Sequence, residues 1–295
     1  MSETKKISII GVPLDIGQGE RGCDVGPAAL RYARLKSRLE SEGHDVVDVG
    51  NVQVPPAVEV KDHEKVQAIA EACDRLMNTC LSSYEQGRLP LVLGGDHSVA
   101  MGSVKASLKQ KNMGVLWVDA HGDYNTPATS PSGNVHGMPL AVLMGQGPEA
   151  LLNIGGERNY LLPENVVILG VRQLDTGERA ALRAAKMKVL SMRDVDELGM
   201  SAVAAEAIHA LGHCDSLHIS LDMDALDPRD APGVGTPVRG GLTYREVQLL
   251  MEKLADTEKI AAIDVVEVNP MLDHQNQTAH TAVDLVLSAL GQSIF

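Results

Sequence analysis

Gly114-Val-Leu-Trp-Val-Asp-Ala-His-Gly-Asp123 is a short apolar run that stops abruptly in three ligand-type side chains. Five uncharged residues rich in Val and Leu have the length and character of a strand buried on both faces. The pattern recurs. Residues 90–93 run into Gly94-Gly-Asp-His-Ser98, and residues 216–221 run into Asp222-Met-Asp-Ala-Leu-Asp-Pro228. Working outward, further short runs rich in β-branched residues at 7–11, 45–49, 165–169, 188–191 and 262–266 bring the expected strands to eight.

Between them lie stretches of helical periodicity, expected at 27–40, 63–84, 98–109, 176–185, 201–211, 243–255 and 279–290. Ser98, Ser201 and Thr243 are suited to cap three of these, and Thr243-Tyr-Arg-Glu246 has the spacing of a capping box. Strands alternating with helices require crossover connections. The expected fold is therefore α/β, a three-layer α/β/α arrangement around an eight-stranded, mainly parallel sheet. No Ser/Pro-rich linker, charge block or internal repeat interrupts the alternation, so residues 1–295 are expected to form one domain. The Gly- and Pro-rich stretches 120–139 and 222–242 each follow a strand. In an open parallel sheet, ligands bind outside the carboxyl ends of the strands, which places a site in these loops.

Composition narrows the chemistry. With one Trp, five Tyr and one Phe in 295 residues, aromatic stacking on nucleic-acid bases is disfavoured. A net charge of −13 argues against phosphate backbones and anionic membranes as partners, and suits a cationic small molecule or bound metal ions. Cys23, Cys73, Cys80 and Cys214 are scattered with no C-x-x-C pair, as expected of reduced thiols in a cytoplasmic protein. The apolar stretch after Lys6 is too short for a signal peptide, and no segment reaches the roughly 18 apolar residues of a membrane span.

If side chains alternate along an extended segment, Asp119, His121 and Asp123 point to one side, as do Asp222 and Asp224, and His97 converges on them. Four carboxylates brought together repel, and each buried anion costs several kcal/mol unless compensated. No Lys or Arg lies within the clusters, so a pair of divalent cations is the natural compensation. Four carboxylates, two imidazoles and no thiolate favour Mn2+ over a structural Zn2+. Any one Asp-x-Asp is ordinarily a turn or cap; three clusters at three strand ends are not explained that way.

The sequence resembles the ureohydrolases, the family that includes arginases and agmatinases. The resemblance rests on Gly94-Gly-Asp-His-Ser98, Asp119-Ala-His-Gly-Asp123, Ser220-Leu-Asp-Met-Asp-Ala-Leu-Asp-Pro228, Ala231-Pro-Gly-Val-Gly-Thr-Pro237 and Glu267-Val-Asn-Pro270, and extends back to Gly11-Val-Pro-Leu-Asp15 and Gly26-Pro27. It implies two Mn2+ per subunit. His97, Asp119, Asp123 and Asp222 would bind one; Asp119, His121, Asp222 and Asp224 would bind the other, with Asp119 and Asp222 bridging. The stretch Thr126-Pro-Ala-Thr-Ser-Pro-Ser-Gly-Asn-Val-His-Gly137 is similar to the arginase branch. There, Asn125, Ser132 and Asn134 would meet the substrate α-carboxylate, and Asp175, assisted by Glu178, the α-amino group. His136 would shuttle protons, Glu267 would hold the guanidinium and Thr243 would supply a substrate-loop hydroxyl. The implied reaction is attack of a metal-bridging hydroxide on L-arginine, giving L-ornithine and urea. A homo-oligomer, trimer or hexamer, is implied as well, although the chain ends at Gly291-Gln-Ser-Ile-Phe295 without the extended tail that helps some animal arginases trimerise.

Plainer readings hold for the supporting residues. Ser132 and Asn134 are ordinary turn formers, and Asp175 and Glu178 suit a helix N-terminus whether or not they bind anything. Asp96, Asp227 and Asp230 suit caps and turns; His209 and His213, four apart, suit a solvated helix face rather than a zinc pair. The alternatives are an agmatinase or another guanidino or formimino hydrolase of the same fold, a one-zinc deacetylase, and a non-catalytic pseudoenzyme. Agmatine offers nothing for the Asn125, Ser132 and Asn134 group to hold, a deacetylase needs only one ion, and a pseudoenzyme would be expected to have lost a ligand.

Overall fold

Every pairing between the eight strands is parallel, in the order β2-β1-β3-β8-β7-β4-β5-β6. The computed structural model describes residues 4–292. The last three residues of the chain-end reading, 293–295, and the first three of the N-terminal one lie outside them. The strands are β1 (Lys6–Gly11), β2 (Asp45–Asn51), β3 (Leu89–Leu93), β4 (Met113–Val118), β5 (Val166–Val171), β6 (Lys188–Ser191), β7 (Ser216–Asp222) and β8 (Ile260–Val266). All eight expected strands are present, and the sheet is parallel throughout rather than mainly.

The helices are α1 (Gly26–Tyr32), α2 (Leu35–Ser41), α3 (Lys65–Glu85), α4 (Ala100–Ser107), α5 (Pro139–Leu143), α6 (Glu149–Leu152), α7 (Thr176–Ala185), α8 (Met192–Leu198), α9 (Met200–Ala210), α10 (Tyr244–Ala255) and α11 (Gln277–Ala289). They cover both faces. Leu116 and Val118 of β4, with Val167 and Leu169 of β5, pack against a layer that includes α1, α2, α9, α10 and α11. Their neighbours Val115, Trp117, Val166 and Ile168 face α4, α5 and α7 on the other side. α3 completes that second layer against β1 and β3. Each inner strand is apolar at nearly every position because alternate side chains enter two different cores.

Several expectations are corrected. The helix expected over 27–40 breaks at Arg34, whose φ of 65° resets the helical phase between α1 and α2. The reset turns Leu35 and Leu39 inward, where continuous winding from Leu30 would have buried charged Arg34 instead. Ser98 does not cap α4: Asp96 caps that segment, accepting from the Ser98 N–H at 3.0 Å. Ser201 caps nothing, because α9 begins at Met200 directly after Gly199. The short helices α5, α6 and α8 had not been anticipated. His213 lies beyond the end of α9 and bonds Asn165, so it shares no helix face with His209.

The chain order leaves a gap between β3 and β4 that β7 and β8 later fill. The four central strands, β3, β8, β7 and β4, therefore end side by side, which is where ligands bind in such sheets.

Candidate metal centre

Register places the key carboxylates together. Val118 of β4 pairs with Leu221 of β7, so Asp119 and Asp222 follow at the same level on neighbouring strands. Leu93 of β3 pairs with Val265 of β8, and the Glu267 N–H donates to the Gly95 carbonyl at 2.9 Å. Simple alternation does not produce the convergence beyond these strand ends. Asp123 has a left-handed φ of 49°, and Asp224 sits in a 3-10 turn over Met223–Ala225. The turn is closed by the Asp222 carboxylate, which accepts from the Asp224 N–H at 2.8 Å.

Around His97 Nδ1 lie Asp119 Oδ2 at 3.1 Å and Asp123 Oδ2 and Asp222 Oδ2 at 3.0 Å. His97 Nδ1 and Asp123 Oδ2 are buried with no hydrogen-bond partner among the described residues. One N–H cannot serve three carboxylates at once, whereas a cation can. A second cluster joins His121 Nδ1 to Asp224 Oδ2 at 3.0 Å and Asp119 Oδ1 at 3.4 Å. Both groups, His97 with Asp119 and Asp222, and Asp119 with His121 and Asp224, have ligand atoms close enough to share an ion. The donor set fits divalent cations.

The surroundings hold these ligands in place. The His97 ring stacks on Trp117 with centroids 4.2 Å apart and planes 8° from parallel, and its Nε2 meets Ser220 Oγ at 2.9 Å. The Trp117 indole N–H donates to Asp119 Oδ2 at 3.1 Å. Asp224 accepts from the Ala120 N–H and, at 2.9 Å, from Thr236 Oγ1. Such outer contacts fix ligand orientation.

Electrostatics reports the same crowding. Burial opposes charge on every group, but the surrounding carboxylates outweigh it at the imidazoles, holding the His97 pKa well above its usual value and pushing His121 up to about 12. Burial and the Asp119 charge push Asp123 up to about 7; burial with Asp224 and Asp119 raises Asp222. In a protein of net charge −13 this cluster retains protons where a metal ion would displace them.

Above the clusters opens a cleft of about 140 Å³, lined by the cluster residues His97, His121, Asp123 and Asp222 and by the loop residues Ser132, Asn134 and His136. Asn125 Nδ2 donates to Asp175 Oδ2 at 2.9 Å, and both residues line the cleft. Glu178 also lines it, accepting from the Tyr124 N–H at 2.9 Å and the Asp175 N–H at 3.2 Å. Glu267 is buried beside the cleft, its Oε1 accepting from the His97 N–H at 2.9 Å and meeting His136 Nδ1 at 3.0 Å. Burial disfavours the imidazolium, but the Glu267 charge outweighs it and pushes the His136 pKa up to about 9.

Thr243 is the exception. It caps α10, with its hydroxyl and N–H both directed to Glu246, and does not line the cleft. Thr236 lines the cleft instead. Its position in Ala231-Pro-Gly-Val-Gly-Thr-Pro237 was the available signal. Arg172 was also missed: it follows β5, and its guanidinium donates to the carbonyls of Asp224, Ala225, Leu226 and Val238 beneath the centre. Asp96, Asp227 and Asp230 behave as caps and turn anchors, accepting backbone N–H groups of Ser98, Gly240 and Tyr244.

The sequence matches the profile of the arginase family over residues 5–291. It is 49% identical to an arginase of Bacillus subtilis over 98% of this chain and 99% of that protein. The fold superposes on the crystal structure of the Bacillus caldovelox arginase with a TM-score of 0.95, at 48% identity, covering 99% of this chain and 100% of that one. An agmatine ureohydrolase of Thermoplasma volcanium is more distant, with a TM-score of 0.74 at 26% identity, covering 98% and 89% of the two chains.

Proposed function

The chain belongs to the arginase family, and from that premise we propose that it hydrolyses the guanidinium group of L-arginine to L-ornithine and urea, at a centre that holds two Mn2+ per subunit. The observation that carries this reading is the pair of buried, unpartnered atoms His97 Nδ1 and Asp123 Oδ2 among four converging carboxylates. His97, Asp119, Asp123 and Asp222 would hold one ion and Asp119, His121, Asp222 and Asp224 the other. Bound there, such ions lower the pKa of water enough to supply a nucleophile at neutral pH.

The chain's own residues account for the rest. Glu267 holds and orients the planar guanidinium by charge-assisted hydrogen bonds. His136, protonated below about pH 9 against Glu267, delivers a proton to the leaving amine. Asn125, Ser132 and Asn134, which line the cleft, suit an α-carboxylate, and Asp175 with Glu178 an α-amino group. These groups favour arginine over agmatine, which lacks the carboxylate. Thr236, rather than Thr243, supplies the hydroxyl beside the centre. Among the described residues no helix is long and apolar enough to cross a membrane; a cytoplasmic homo-oligomer, trimer or hexamer, of single-domain subunits completes the proposal, with neither nucleic acid nor membrane as partner.

The test is urea and amine release from arginine and agmatine by protein stripped with chelator and reloaded with Mn2+, Co2+, Zn2+ or nothing. Arginine turnover restored by Mn2+ with little agmatine turnover supports the reading. Preference for agmatine removes the carboxylate-binding roles, and inactivity with every metal removes the enzyme.

A further inference from the structure

Glu267 leaves β8 with a left-handed φ of 62°, a conformation that non-glycine residues adopt only when their surroundings impose it. A carboxylate offers about four acceptor sites. Two, on Oε1, are taken by the His97 N–H at 2.9 Å and His136 Nδ1 at 3.0 Å. On Oε2 the Cys23 thiol approaches to 3.4 Å, from a sequence position 244 residues away. Both side chains are buried, Cys23 at 0% and Glu267 at 1% exposure.

The backbone that delivers the thiol is built against the segment it serves. A Cβ on Gly22, whose φ is 128°, would lie 2.3 Å from Asn269 Oδ1, and one on Gly26 would lie 2.6 Å from the Val268 carbonyl. Only glycine allows the two segments to approach so closely at both sides of Cys23. Asn269 Nδ2 donates to the Arg21 carbonyl at 3.0 Å, and Asp15 accepts from the Gly22 N–H at 3.2 Å. The buried carboxamide of Gln18, which has no hydrogen-bond partner, lies beside the thiol.

We propose that Cys23 is a positioning residue for Glu267: its S–H occupies one acceptor site of Oε2, fixing the carboxylate plane and leaving a single Oε2 site for a guanidinium N–H. The proposal rests on the assignment of Glu267 as the guanidinium-binding group. Burial and the Glu267 charge both push the thiol's ionisation up, so Cys23 keeps its donor proton wherever the enzyme works. An apolar side chain of similar size would fill the space but leave Oε2 without this donor, so that only the two bonds to Oε1 hold the carboxylate.

The experiment compares wild type with Cys23→Val, Cys23→Ala and Cys23→Ser, all as full-length Mn2+-loaded enzyme with metal content and Tm recorded. Losing one donor to a charged acceptor is expected to raise the arginine KM about tenfold in Cys23→Val, with Cys23→Ala matching it should Val disturb packing. Ornithine lacks the guanidinium, so its Kd by calorimetry stays within about twofold, and Cys23→Ser, which retains a donor, returns KM to within about threefold. A wild-type KM in both apolar variants overturns the proposal. So does a parallel rise of KM and ornithine Kd, or a Ser variant no better than Val, since either outcome reduces Cys23 to packing. Failure of the wild type to hydrolyse arginine overturns the assignment of Glu267 and the proposal together, and is seen before any variant is compared.

Discussion

The carbonyl oxygen of Asp224 accepts a 2.7 Å hydrogen bond from the Arg172 guanidinium, so a metal-ligand candidate is held through its backbone by a cation from the segment that follows β5. The same guanidinium binds the carbonyls of Ala225, Leu226 and Val238, tying the turn after β7 to the loop that carries Thr236. Lys, with a compact ammonium, cannot reproduce this planar fork.

Replacement of Arg172 by Met should therefore destabilise the protein by about 2–4 kcal/mol, because several carbonyls lose their donor together. Arg172→Lys should recover less than half of that. The loss of Tm should be larger in chelator-treated protein, where Arg172 is a nearby positive charge facing Asp224, Asp119, Asp227 and Asp222. Thermal melts of both variants, with and without metal, decide it; a Lys variant as stable as wild type would falsify the clamp.

Two threonines seven residues apart should separate cleanly. Thr236 lines the cleft and donates to Asp224 Oδ2, so Thr236→Val should lower kcat/KM about tenfold through loss of a hydrogen bond to a charged group. Thr243→Ala removes only the α10 cap, costing about 1 kcal/mol of stability with arginine turnover intact. Steady-state kinetics and denaturant titration of the pair test this, and a kinetic defect in Thr243→Ala would return that residue to the site.

The contrast shows where sequence reasoning reaches. The six inner strands were legible because a strand buried on both faces is a continuous apolar run, the edge strands β2 and β6 only through their short β-branched stretches, and the ligands because each cluster ends an inner run. The Thr-x-x-Glu spacing at Thr243 is a capping signal and Thr243 does cap α10, whereas its substrate-loop role was implied by the resemblance alone and the residue does not line the cleft. Thr236 is one hydroxyl in a Gly- and Pro-rich loop, distinguished only once folding sets it against Asp224. Arg172 left no pattern, since its partners are backbone carbonyls on distant loops that any residues there would supply. Helix α8, Met192-Arg-Asp-Val-Asp-Glu-Leu198, has a single buried residue, Val195, too few for an apolar period to show.

Acid should loosen the loop that carries Thr236. Asp227 is hard to ionise by burial alone, but hydrogen bonds from Arg229 and from the backbone N–H groups of Gly240 and Gly241 prevail and lower its pKa to about 2. A depressed carboxylate pKa stabilises the fold above the unfolded value of 3.8, and that contribution disappears as pH falls through the folded value. Asp227→Asn should thus lie below wild type in Tm at pH 5–7, with the two curves converging between about pH 4 and pH 2. A Tm gap that persists unchanged to pH 2 would show that the carboxylate's charge contributes nothing.

Metal stoichiometry should follow the sharing of ligands. Asp119 presents Oδ2 to His97 and Oδ1 to His121, and so belongs to both clusters, whereas His121 and Asp224 belong to one and Asp123 to the other. Removing a ligand used by one ion leaves the second with its donors intact; removing a shared carboxylate weakens both and leaves the remaining anions poorly compensated. His121→Asn and Asp123→Asn should each retain about one equivalent after dialysis against dilute Mn2+ and keep part of the thermal stabilisation that saturating metal confers, while Asp119→Asn should retain less than one and gain little. Elemental analysis beside melting curves reads both quantities. Equal retention in all three variants would mean that the two clusters do not share Asp119, and the paired-ion reading of the centre would have to be abandoned.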